Sequence, residues 1–424
     1  MSEDMKLASI QAAEKKLLLN TYERNPVLFV DGYDVYLRDE QGNDYLDLLS
    51  GIGVSALGYG HPAVEAAIVS QSKRLLHTSN LFFHEHTAEL ALRLTEMSGL
   101  DRVFFCNSGT EAWEAALKLA RAHAGILRSE GKNIGTKFLA LEQSFHGRTM
   151  GSVATTHKER YRKPFAPVMP GVEFVRFDDV ADLQAKFSND VCGVCIEVVQ
   201  GEGGIRPLSQ EFIVAARELC DSSGALLIAD EIQSGMGRTG EWFAYQQYGV
   251  LPDITTLAKP IANGLPMGAM LCTDKAARAF TPGMHGTTFG GGPLVSAVAI
   301  AVIDTMKKDS MLSHIREVGG YFKERLEWLR VRHDCVTDVR GVGLMLGLEL
   351  DSAELATKTA AQMIERRILI NRTSETVLRF LPPYILERKH VDIAIGALDE
   401  VLATLTSTAA AMAGGAPAGE HSHG

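Results

Sequence analysis

Apolar and polar residues recur along this chain with two periods. Met5 to Leu19 carries the helical spacing and predicts an amphipathic helix. Tyr33 to Leu49 alternates instead: "YDVYLRD", a turn at Gln41-Gly42-Asn43, then "DYLDLL", which predicts a hairpin. From His61 onward, helical stretches alternate with short apolar runs: "RVFFC", "KFLALE", "VEFVRF", "GVCIEVV", "ALLIAD", "ITTLAK" and "MGAMLCT". Strands at that spacing, with helices between them, predict a mostly parallel sheet covered on both faces. After about Lys308 come long helical patterns, then "VTDVRGVGLMLGLELD" as one strand and "ILINRT" and "VLRFLPP" as two more. Val391, Ile395, Leu398 and Leu402 mark a closing helix.

The pattern divides the chain into an N-terminal helix-and-hairpin segment, 1–60, expected to pack with the small domain; a large α/β domain, 61–308; a smaller α+β domain, 309–407; and a tail, 408–424. The tail contains "AAAMAGGAPAGEHSHG", an Ala/Gly-rich composition that predicts disorder. There are no internal repeats.

Composition narrows the class. The 424 residues are 46% hydrophobic and 22% charged, as in an ordinary globular enzyme. A formal net charge of -10 argues against a nucleic-acid surface. No apolar run approaches the ~20 residues that span a bilayer, and Met1 to Lys16 has neither a signal-peptide core nor an Arg-rich transit pattern. Six cysteines are scattered; Cys192 and Cys195 have C-x-x-C spacing but lie in an apolar strand pattern with no second pair at zinc spacing. Buried thiols in a reducing cytoplasm are expected. His84-Glu85-His86 is not a metal motif, and no metal is expected.

The stretch "LLIADEIQSGMGRTG", Leu226 to Gly240, raises the chemical question, because a buried strand ends on Asp230 and Glu231. The pair suits an ATPase, the glycines spell a dinucleotide loop, a cap at a strand-to-helix turn needs only Asp230, and an acid at that place could also hold a cofactor ring nitrogen. The ATPase reading fails, because Gly131-Lys132 is followed by Asn133 and lacks the upstream glycine. The dinucleotide reading fails, because "DEIQS" separates strand from glycines and no acid closes a second strand about 20 residues on. Lys259 ends the strand "ITTLAK". Pyridoxal phosphate chemistry needs a lysine and an acid at the ring nitrogen, and strand-end residues meet at the sheet edge where ligands bind. In "CNSGTEAWEAALKLARAH", Ser108-Gly109-Thr110 opens a helix whose free N–H groups suit a phosphate, while Ser108 and Glu111 also spell a capping box.

Together, "NSGTEA", "SFHGRTMG", "VVQGEGG", "LLIADEIQSGMGRTG", "TTLAKPIANGLPMGA" and "HGTTFGGGPL" resemble the class III, or ω-, aminotransferases of the fold-type I pyridoxal-phosphate enzymes, from about Asn25 to Leu402. The resemblance implies pyridoxal 5′-phosphate as cofactor. It implies that Lys259 bonds the cofactor and moves the proton, and that Asp230 pairs with the ring nitrogen. Phe145 and Ile232 would cover the two ring faces, and Gln233 would reach the ring hydroxyl. Gly109 and Thr110 would hold the phosphate, with Thr288 reaching it from the neighbouring subunit of a homodimer. The expected cofactor set is Ser108, Gly109, Thr110, Phe145, Asp230, Glu231, Ile232, Gln233, Lys259 and Thr288; the substrate set is Arg148, Glu202, Thr287 and Arg379. The implied reaction moves the terminal amine of N2-acetyl-L-ornithine to 2-oxoglutarate, giving glutamate, in arginine biosynthesis. Ornithine, succinylornithine and 4-aminobutyrate are alternative donors. Three departures, "GGGPL" for the usual "GGNPL", Thr287 for a common serine, and the loop "KPIANGLP", leave the cofactor set intact and bear on substrate choice.

Overall fold

The computed structural model describes residues 4–414. Its centre is a seven-stranded sheet in the order Arg102–Cys106, Gly268–Cys272, Ile254–Leu257, Leu226–Asp230, Val191–Ile196, Lys137–Leu141 and Val172–Val175. All seven apolar runs that predicted strands are in it. Only Gly268–Cys272 is antiparallel to its neighbours. Leu226–Asp230 is buried throughout, and its residues alternate between two cores: Leu226 and Ile228 join one, Leu227 and Ala229 the other. That is the period-2 consequence of a strand covered on both faces. Helix Gly109–Ser129 lays Ala112, Trp113, Ala116, Leu119, Ala120, His123 and Leu127 onto one face, at the spacing of a helical stripe.

A second, antiparallel sheet runs Val336–Val342, Met345–Leu350, Val377–Phe380 and Asn371–Thr373. The run expected as one strand from Val336 is thus a hairpin. Its turn lies at Gly343, whose φ is 58° and where a Cβ would come 2.6 Å from Arg238 O. Only glycine fits such a turn. "ILINRT" also splits. Asn371–Thr373 joins this sheet, while Ile368–Leu369 pairs in parallel with Asp44–Asp47.

The N-terminal hairpin is part of a longer meander: Phe29–Tyr33, Tyr36–Asp39 and Asp44–Asp47. Asp39 shapes its turn by accepting from the Gln41 and Asn43 N–H groups at 2.9 and 2.8 Å. Through Ile368–Leu369 this meander is stitched to the C-terminal region. Helix Asp4–Leu17 forms, with Leu7 and Ile10 half-buried and Leu17 and Leu19 at its end 76% and 86% exposed. The closing helix is Arg388–Gly414, with Val391, Ile395, Leu398 and Leu402 buried. It runs through 408–414, the start of the tail expected to be disordered, as alanine's helix propensity permits. The rest of that tail lies outside the described residues.

All six cysteines are buried and free. Among the described residues no cluster of three or more His, Cys, Asp or Glu is placed to hold a metal, and no helix is long and apolar enough to cross a membrane. His84 and His86 instead bond Gly291 O at 2.8 Å and Gln71 Oε1 at 3.0 Å.

Candidate active site

A cavity of about 330 Å³ opens at the carboxyl ends of the parallel strands, where ligands bind in open α/β sheets. Asp230 ends the central strand and faces it. Its Oδ2 lies 2.7 Å from His146 Nδ1, and its Oδ1 accepts from Ile232 N at 3.1 Å and Thr256 Oγ1 at 3.2 Å. The bond to Ile232 makes a local turn, not a helix cap, since no helix follows. His146 stacks on buried Trp113, ring centroids 3.9 Å apart and planes 4° apart. The carboxylate is therefore held from three sides. Glu231, expected with it, does not line the cavity. Successive strand residues point to opposite faces. Glu231 instead accepts from Ser234 Oγ at 2.6 Å and Tyr245 N at 3.0 Å, and burial pushes its carboxyl up to about 7.

Lys259 follows the next strand and lines the same cavity. Its φ is 28°, in the left-handed region a lysine rarely adopts. Among the described residues nothing pairs with its Nζ. Burial lowers its ammonium below the ordinary value, against the opposing pull of Asp230. More of the amine is then neutral and nucleophilic.

The helix Gly109–Ser129 begins at the cavity wall. Ser108 Oγ accepts from Glu111 N at 3.3 Å, while Glu111 accepts from Asn107 N at 2.7 Å, one residue earlier than a capping box requires. Thr110 Oγ1 is engaged with Ser152 and Thr149 at 2.7 and 2.8 Å. The Gly109 and Thr110 N–H groups take no partner among the described residues. A Cβ on Gly109 would lie 2.8 Å from Ile232 Cδ1, so glycine lets the two loops close on each other. Phe145 and Ile232 both line the cavity.

At the other end, Arg379 is 1% exposed and donates to Glu202 Oε1 at 2.6 Å, to Asn371 Oδ1 at 3.1 Å and to Gln233 Oε1 at 3.4 Å. Burial opposes ionisation of Glu202, but Arg379 wins and holds its carboxyl below the ordinary value. Thr287 is reached through Asn107, whose Nδ2 donates to its Oγ1 at 3.1 Å. Arg148 is exposed and stacks on Phe145 and Tyr161. Thr288 is exposed beside Ser79 and Phe289, outside this cavity.

Sequence reading missed three residues. His146 and Trp113 brace Asp230. Glu197, on the cavity wall, accepts from Phe145 N at 2.9 Å and Gly201 N at 3.2 Å, and burial raises it to about 7. Glu197 had a local signal, as the one acid inside the apolar run "GVCIEVV", whereas nothing local marks the contact of His146 or Trp113.

This donor set fits pyridoxal 5′-phosphate. A braced carboxylate suits a protonated ring nitrogen, and an unpaired amine suits its aldehyde. An aromatic and an aliphatic side chain suit the ring faces, and unpaired helix N–H groups suit its phosphate.

Residues 19–402 match the family described as Aminotransferase class-III. The chain is 43% identical over 392 residues to the acetylornithine aminotransferase of Caldanaerobacter subterraneus subsp. tengcongensis, covering 92% of this chain and 98% of that protein. It is 44% identical to that of Methanocaldococcus jannaschii, covering 92% and 96%. Among solved structures it resembles the ornithine aminotransferase from Toxoplasma gondii ME49, with a TM-score of 0.90, 30% identity, and coverage of 95% and 96%. The acetylornithine aminotransferase from Elizabethkingia anophelis matches with a TM-score of 0.82, 28% identity, and coverage of 94% and 99%.

Proposed function

This chain belongs to the class-III aminotransferases, and from that premise we propose that it moves the terminal amino group of N2-acetyl-L-ornithine to 2-oxoglutarate, in arginine biosynthesis. The enzyme is a pyridoxal-phosphate-dependent aminotransferase. The cofactor, when bound, supplies an electrophilic aldehyde carbon and an electron-accepting ring. Lys259, on the cavity wall, would hold the cofactor through that carbon and would carry the proton to and from the substrate carbon that bears nitrogen. Asp230 holds the ring nitrogen protonated, and His146 and Trp113 keep its carboxylate in place. Phe145 and Ile232 would cover the ring faces, Gln233 would reach its hydroxyl, and Gly109 and Thr110 would take the phosphate. Thr288 of the partner subunit completes that grip, which makes the working unit a homodimer. Buried, free cysteines suit a cytoplasmic setting.

The observation that carries the substrate reading is the Glu202–Arg379 pair at 2.6 Å. Glutamate and 2-oxoglutarate present a carboxylate beside the reacting carbon, where acetylornithine presents methylene. A bare buried guanidinium against methylene costs several kcal/mol, roughly 3–5 by analogy with broken buried pairs. Glu202 neutralises Arg379 for the amine donor and must leave it for the keto acid. Arg148 holds the carboxylate at the far end of either substrate. The test is kcat/KM for acetylornithine, ornithine, succinylornithine and 4-aminobutyrate, each with 2-oxoglutarate. Acetylornithine ranks first if the reading is right, and a higher value for any other donor replaces it.

A further inference from the structure

Arg148 is exposed, and among the described residues no carboxylate pairs with it. What holds it is the Phe145 ring together with Tyr161, through both the ring and the hydroxyl, to which Arg148 donates. Its guanidinium carbon is 3.6 Å from the Tyr161 ring centroid and 5.2 Å from that of Phe145. The two rings meet edge to face, 6.2 Å apart at 81°. Phe145 is fixed by its backbone bond to Glu197. Tyr161, on the short helix Glu159–Arg162, is fixed separately: Arg160 donates to its Oη at 2.8 Å and lies 4.8 Å from its ring. The segment 157–163 reads His-Lys-Glu-Arg-Tyr-Arg-Lys, so one acid stands among several cations. That acid, Glu159, makes no ion pair among the described residues.

A guanidinium laid on a ring face keeps its planar N–H edge available while its rotamers are restricted. An arginine paired with a protein carboxylate would have that edge occupied. We propose that Tyr161 is a positioning residue for substrate specificity: its ring carries the Arg148 guanidinium, with N–H groups left for the distal carboxylate of the substrate. This rests on the reading of Arg148 as the carboxylate clamp. The aromatic seat stands where a neighbouring carboxylate would compete with the substrate for the same N–H groups.

The test uses the holoenzyme and glutarate, a dicarboxylate without the keto group, titrated calorimetrically, alongside kcat and KM for 2-oxoglutarate. Tyr161→Ala is expected to weaken glutarate about two- to fivefold, the size of an exposed cation–π contact. KM for 2-oxoglutarate should rise in parallel, with kcat nearly unchanged. Tyr161→Phe, which keeps the ring, should restore the affinity. In an Arg148→Ala background Tyr161→Ala should add nothing, because the pair acts as a unit. An equal loss in both backgrounds, or a loss in Tyr161→Phe matching that of Tyr161→Ala, would overturn the seat. If Arg148→Ala weakens glutarate and Tyr161→Ala does not, the seat falls and the clamp stands. If Arg148→Ala leaves glutarate affinity unchanged, the clamp itself falls, and the seat with it.

Discussion

At the cavity floor, Asp230 is 5% exposed and its carboxylate takes hydrogen bonds from His146, Ile232 and Thr256; at the rim, Arg148 is exposed and rests on two rings, while Glu202 and Arg379 occupy each other. The floor has one arrangement. The Asp230 carboxylate is braced by His146 and Thr256, both buried, so moving it breaks several contacts at once. The rim has contacts that a substrate can replace: a stacked cation with a free edge, and an ion pair whose carboxylate can be exchanged for another. A fixed ring environment and an exchangeable carboxylate environment are what an enzyme needs when one cofactor serves two unlike substrates. On the proposed reading, specificity lies in the contacts a substrate can replace and reactivity in those it cannot.

The comparison can be broken most severely at the floor. Lys259→Ala should remove turnover, because no other cavity amine is placed to replace it; retained activity at even a few per cent would point to a different lysine. Asp230→Asn should keep the fold and lower kcat by about 10²–10⁴, taking the range for a lost electrostatic or proton-transfer contribution. A near-normal rate would reduce Asp230 to a turn residue.

Behind the floor, Glu231 gives a stability effect rather than a catalytic one. Its folded carboxyl is raised to about 7, above the ordinary 4.5. A raised group favours the fold at pH below its unfolded pKa, and that advantage is lost as pH rises through the folded value. Glu231→Gln should therefore flatten the fall in melting stability between about pH 4.5 and 7, by on the order of 3 kcal/mol. Parallel melting curves for the two proteins across that window would show that this carboxyl does not titrate there.

The smallest effect is expected at Gly292, which caps helix Pro293–Lys308 without a side-chain bond. Gly292→Asn should stabilise by only a few tenths of a kcal/mol. Its φ of -59° accepts a side chain, though the new Cβ would sit 3.3 Å from Phe289 O. Rates should not change; a changed half-reaction would tie this loop to substrate choice.

The floor was also the more legible region in sequence. Strand ends are marked by apolar runs, so Asp230 and Lys259 could be placed at one sheet edge from their position alone, and all seven strands of the sheet were visible by pattern. What braces Asp230 was not legible, because His146 is 84 positions away and no local period reports that contact. Glu231 was misplaced with Asp230 because adjacency in sequence was given more weight than alternation along a strand. The hairpin at Gly343 was missed for a related reason: an unbroken apolar run hides a turn unless its glycines are read as punctuation. The rim was least legible. Tyr161 carries no motif, and its closeness to Arg148 appears only once the chain is folded.

Whether Glu202 and Arg379 exchange partners between the two half-reactions is measured by single-turnover spectra of each half-reaction, since the cofactor changes colour in both. Arg379→Ala should slow the glutarate-like half, glutamate and 2-oxoglutarate, far more than the acetylornithine half. Glu202→Ala should do the reverse and let α-amines react better relative to the terminal amine. Equal losses in both halves for both variants would mean a fixed salt bridge and would contradict the account.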